Sequence, residues 1–146
     1  MEKSIDISTF EREYKRERAG AGQPAYVTKR TLSRLYTALL TIKDTKLRVK
    51  CYLLARMNRS NRTSYRLEDT MRACKVSNAC IVIWAIHELV RDHVIARTYA
   101  NHFIVNPGIL RWDTDDVTEN LEGTFWFYVE EYEREKAKRT ENVPSL

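Results

Sequence analysis

The sequence predicts a mostly α-helical domain with a small β wing, followed by one further helix at the C-terminus. Three observations carry this expectation. Apolar residues recur at helical spacing between Leu32 and Leu40 and again between Lys46 and Met57. Two more helical segments, Glu68–Cys74 and Ala79–Arg91, are separated only by Lys75-Val76-Ser77-Asn78. A hairpin pattern follows directly, Val94–Arg97 and His102–Val105 around the turn Tyr99-Ala100-Asn101.

Residues 1–24 read as a flexible N-terminal arm and linker. They are polar and charge-mixed, with Phe10 and Tyr14 at helical spacing, and end in Ala19-Gly20-Ala21-Gly22-Gln23-Pro24, whose glycines and proline mark a boundary. Tyr26-Val27-Thr28 is a short extended piece. Leu32, Leu35, Tyr36, Leu39 and Leu40 form the apolar stripe of a first helix. Asp44-Thr45 offers an N-cap to a second, which turns Leu47, Cys51, Leu54 and Ala55 inward.

After the basic loop Asn58–Arg62, Thr63–Leu67 reads as a short strand, and Leu67, Met71 and Cys74 are the expected inner residues of the third helix. Ser77 or Asn78 caps the fourth. Asn106-Pro107-Gly108 closes the unit, so the domain spans 25–112. Residues 113–146 read as an acidic C-terminal helix. It starts at Asp113–Asp116 and carries Phe125, Tyr128, Val129 and Tyr132 on one face.

The 146 residues, 43% hydrophobic and 31% charged, suffice for one domain with extensions. No apolar run approaches the roughly 20 residues of a membrane helix. The first ten residues lack the basic-then-apolar pattern of a signal peptide. Cys51, Cys74 and Cys80 are odd in number and lie in apolar, helix-like contexts. A cytoplasmic protein without a disulfide framework is therefore expected.

Charge is strongly segregated. Residues 29–66 carry 11 lysines and arginines against the single acid Asp44, whereas 113–146 carry 4 against 10 acids. A basic middle beside an acidic tail points to a polyanionic partner.

The order helix, helix, strand, helix, helix, hairpin is the trace of a winged helix-turn-helix, in which the second helix of the pair enters the DNA major groove. C-Y-L-L-A-R-M, R-A-C-K-V-S, A-I-H-E-L-V-R-D-H-V-I-A-R and F-I-V-N-P stand in order between Cys51 and Pro107. Over Tyr26 to Leu110 this pattern resembles the RepL-type plasmid replication proteins. The resemblance implies a winged-helix fold and origin-linked DNA binding in plasmid maintenance. Many winged helices have glycine where this chain has His93, a position that favours positive φ.

Expected phosphate contacts are Lys29, Arg30, Arg34, Arg59, Arg62 and Arg66, joined by Ser77 and Asn78 at the turn and by Arg97, Asn101 and His102 on the wing. The reading helix conflicts with this picture. With Val82, Ile86 and Leu89 facing the core, Ala79, Ile83, Trp84 and His87 face outward, and Ile83 and Trp84 offer no hydrogen bond to a base edge. One resolution covers Ile83 and Trp84 with the aromatic tail, Phe125, Trp126 and Tyr128, from the same chain or from a homodimer partner. Another turns the apolar helix into a protein-docking face.

Other chemistries have weaker support. Cys74, Cys80, His87 and His93 are spaced too widely for a structural zinc site, since Cys80 and His87 lie ~10 Å apart along one helix. Neither a nucleophile elbow nor a Gly-rich phosphate loop is present. No enzymatic activity, cofactor or metal is expected.

Overall fold

The computed structural model describes residues 25–112 and 120–141. The expected arm and linker, and the helix start at Asp113–Asp116, lie outside the described residues.

Strand β1, Ala25–Val27, leads into α1, Lys29–Thr37. Thr28 and Thr31 cap this helix reciprocally. The Thr31 N–H donates to Thr28 Oγ1 at 3.3 Å and the Thr28 N–H to Thr31 Oγ1 at 2.7 Å. Leu32, Leu35 and Leu39 are buried, but Tyr36 and Leu40, expected on the same stripe, are each 47% exposed. The helix stops at Ala38, and Leu39–Thr41 forms a 3-10 turn. The tighter winding breaks the helical period and rotates Leu40 outward.

Helix α2, Thr45–Ala55, starts on Asp44, whose carboxylate accepts the N–H groups of Lys46 and Leu47 at 3.0 and 3.2 Å. It buries Val49, Cys51, Tyr52, Leu53 and Leu54, more of its circumference than one amphipathic stripe. The cause is its central place, because α1, α3, α4 and β2 all pack on it.

Strand β2, Arg62–Ser64, precedes α3, Leu67–Cys74. Here Thr70 and Cys74 are buried and Met71 is half-buried, while Leu67, expected inward, is exposed. Leu67 is the first residue of its helix and lies at its rim. Thr70 occupies the inner position and donates its hydroxyl to the Arg66 carbonyl at 2.8 Å.

Helix α4, Ala79–Arg91, buries Val82, Ala85, Ile86 and Leu89. It ends at Asp92, and His93 takes φ 57°, a left-handed conformation at the place where many winged helices carry glycine. Asn61, Lys75 and Ala100 also have positive φ. Each costs about 1 kcal/mol relative to ordinary backbone.

Strands β3, Ile95–Tyr99, and β4, His102–Val105, pair antiparallel, and β2 adds to β4 to give the order β2-β4-β3. Alternation along the strands separates two apolar layers. Ile95, Phe103 and Val105 join the main core with α1–α4, whereas Ala96 and Ile104 face the other side. Helix α5, Leu121–Glu141, covers that outer face with Phe125, flanked by Tyr128 and Val129.

Strand β5, Leu110–Trp112, pairs parallel with β1 and ties the start of the unit to its end. The sequence reading missed it, since three residues cannot display a period of two. The described part is thus mixed α and β, with two small sheets and five α-helices, the last of them C-terminal. No single helix among the described residues is long and apolar enough to cross a membrane.

Candidate nucleic-acid interface

The α3–α4 turn is set by its own residues. Lys75 adopts the left-handed conformation that closes α3, and Val76, buried, donates its N–H to Met71 O at 2.9 Å. Asn78 then opens α4 by accepting the Cys80 N–H at 2.9 Å. Across this break the helix axes turn by 101°. The side chains of Lys75, Ser77 and Asn78 stay exposed.

Helix α4 presents Cys80, Ile83, Trp84 and His87 to solvent. Trp84 is 55% and Ile83 47% exposed, so a helix apolar nearly all round is nevertheless buried on one side only. The aromatic tail of the same chain does not cover them. Phe125 is spent on the sheet's outer face, and Trp126 meets His93 edge-on at 5.4 Å between ring centres. Trp84 instead edges an open groove between α4 and α5 with His87, Arg91, Tyr132 and Lys136. The reason is connectivity: Phe125 and Ile104 meet because α5 returns along β3, whereas Ile83 and Trp84 lie on the far side of α4 from the core.

The hairpin gathers a second group. Tyr99 stacks on His102 at 4.3 Å, and the Tyr65 N–H donates to Asn101 O at 3.2 Å, which anchors the tip beside the end of β2. The Arg97 guanidinium lies 5.5 Å above the Phe103 ring, and Tyr65 stacks on the same ring at 6.0 Å. Arg66, Arg97, Asn101 and His102 therefore share one end of the three-stranded sheet. Asp69 approaches Arg66 at 4.0 Å and Arg72 at 3.8 Å, but both arginine side chains are about 80% exposed or more. Such loose surface pairs hold a cation weakly. Arg72 and Lys75 were missed in the sequence because they stand outside the densest basic run.

The rest of the basic run does different work. Arg48 is internal, donating to Ile42 O and to Cys74 O. Lys46 and Lys50 clamp Glu88 at 2.9 and 2.8 Å. Their hydrogen bonds, that of Lys50 foremost, hold the Glu88 carboxyl below the usual glutamate range. Arg62 lies over the Tyr128 ring at 5.7 Å, turned toward α5.

Arg59 sits over the Trp112 ring at 5.8 Å. Its loop is bound to the other end of β4, where the Val105 N–H donates to Asn61 O at 2.7 Å. Lys29, Arg30 and Arg34 lie on α1, whose surface side is exposed. Apart from Arg62, which is turned toward α5, the expected phosphate contacts thus divide between two regions: the turn and hairpin tip, and the neighbourhood of α1 and Trp112.

Cys51 and Cys74 are buried and Cys80 is exposed. Burial pushes the Cys74 thiol up to about 11. No three His, Cys, Asp or Glu side chains converge as a metal site among the described residues. Comparison of the chain with family models, curated proteins and solved structures gave no match.

Proposed function

We propose that this chain is a winged helix-turn-helix protein that binds double-stranded DNA through the α3–α4 turn and the β3–β4 hairpin. The observation behind this reading is the 101° break between α3 and α4, followed by an antiparallel hairpin in a β2-β4-β3 sheet. Two helices at such an angle let the second lie in a major groove while the first crosses the backbone. The adjoining hairpin reaches the flanking phosphates or the minor groove.

Arg66, Arg72, Lys75 and Arg97 supply the positive charge on this side, and Ser77 and Asn78 supply short polar groups at the start of α4. Phosphate contacts position the protein, and base discrimination falls to Ser77, Asn78 and an apolar touch of Ile83 on a thymine methyl. The RepL-type resemblance directs the proposal to replication control or transcriptional regulation of a plasmid or phage. A homodimer has Trp126 and Phe127 of α5 as its available apolar surface, since Phe125 is buried in its own chain.

The test is duplex binding as a function of salt. Each phosphate contact contributes about −0.9 to the slope of log K against log salt, so Arg66→Ala with Arg97→Ala should flatten it by about 2 and weaken all duplexes alike. Absence of duplex binding, or a slope unmoved by these changes, rejects the reading. The exposure of Ile83 and Trp84 favours one rival, a protein-docking module. It predicts a salt-insensitive protein complex lost in Trp84→Ala.

A further inference from the structure

The second basic region has a shape of its own. A groove of about 560 Å³ runs between α1, the end of α2 and Trp112. Its walls include Lys29, Tyr36, Arg56, Asn58 and Trp112, and among the described residues no carboxylate lines it. Tyr36 is 47% exposed, with its ring 5.9 Å from that of the buried Tyr52. Arg56 lies 5.2 Å above Tyr52 and donates to its hydroxyl. The indole of Trp112 is fixed by an Nε1 hydrogen bond to Met57 O at 3.1 Å, and Arg59 stands over it.

Aromatic side chains interleaved with cations, in a trough with no acid among the described residues, suit a ligand that alternates flat rings with anions. Between Ala25 and Lys43 the sequence has no acid at all, and between Thr45 and Leu67 it again has none. The charged side chains lining this groove among the described residues, Lys29 and Arg56, are both cations. A duplex hides its base faces by stacking, so exposed aromatic side chains gain nothing from it. A single strand offers both its bases and its phosphates.

We propose that this groove binds single-stranded nucleic acid, with Tyr36 as the stacking platform, the Arg59–Trp112 pair beside it, and Lys29 and Arg56 on the backbone. The site is separate from the duplex-binding surface proposed above. Its loop lies at the Val105 end of β4, whereas the hairpin tip lies at the His102 end.

The experiment measures binding of a fluorescent dodecamer of thymidylate and of a labelled duplex to the full chain. Stacking is worth about 1–3 kcal/mol per base, or roughly 5- to 150-fold. Tyr36→Ala should weaken the oligothymidylate by at least about 5-fold, and Lys29→Ala should reduce its salt slope by about 0.7. Tyr36→Phe, which keeps the ring, should bind as the parent does. Tyr36 is half exposed, so its removal leaves the core intact, and a circular dichroism melt verifies this.

Excess unlabelled duplex should leave the oligothymidylate bound, and Arg66→Ala with Arg97→Ala should not affect it. Three results overturn the proposal: oligothymidylate binding that is absent or indifferent to Tyr36, a duplex that displaces it, or polyglutamate that competes as well as the oligonucleotide. Loss of duplex binding alone rejects the duplex reading and leaves this one standing.

Discussion

The guanidinium of Arg48 donates to the carbonyl of Cys74 at 2.7 Å, binding α2 to the last turn of α3. The same group donates through Nε and Nη2 to Ile42 O. One arginine thus satisfies carbonyls on both sides of the central helix, directly behind the turn that orients α4. Arg48→Ala should cost about 1.5–3 kcal/mol, the range for hydrogen bonds involving a charged group. Arg48→Lys should recover only part, since an ammonium lacks the planar fork. Urea denaturation of the three proteins measures both, and equal stability of all three would contradict the assignment.

Glu88 makes stability depend on pH. Its folded carboxyl titrates below the usual range because Lys50 and Lys46 bond the ionised form. The contribution is complete above the ordinary glutamate range and is lost as acid protonates Glu88 through its lowered folded value. Glu88→Gln should therefore be less stable than the parent at neutral pH. The two should converge as the pH falls through and below the usual glutamate range. A stability difference that is constant with pH would reject the linkage.

Asn61 is fully buried at φ 59° and donates Nδ2 to Val105 O at 3.1 Å and to Leu110 O at 2.8 Å. Both partners are acceptors, so the amide nitrogen must face them. Asn61→Ala removes two buried hydrogen bonds and puts a methyl side chain at positive φ, an expected loss of about 3 kcal/mol. Asn61→Asp should be worse at neutral pH, because it aims a carboxylate at two carbonyls, and should regain stability on acidification. Thermal melts across pH measure this, and an Asp variant as stable as the Ala variant at neutral pH would be inconsistent.

Phe125 is the buried anchor of α5, in contact with the layer formed by Ala96 and Ile104. Phe125→Ala should release the helix at a cost of about 3 kcal/mol. Hydrogen exchange should then accelerate first in α5 and along β3, before the main core. Uniform acceleration across the chain would mean that α5 does not open as a separate unit.

Much of the chain's local structure was legible because local signals suffice for it. Asp44 and Asn78 are short acceptors placed ahead of apolar helical runs, and both cap as their residue types require. The bounds of α4 and β4 follow from caps, periodicity and flanking turns. The left-handed turn at His93 was hinted at only by the glycine that many winged helices carry there.

The order of residues alone dictates the succession of the four domain helices and the hairpin, the turn between α3 and α4, and the outward apolar face at Ile83 and Trp84. What each cation does is settled by folding. Neighbours along the chain point to opposite sides of a helix, so Lys46, Arg48 and Lys50 lie within one basic run yet meet Glu88, Ile42 and Cys74. Folding likewise brings Trp112 beneath Arg59 and beside Tyr36 through the parallel β1–β5 pair, a contact between distant residues that no local pattern encodes.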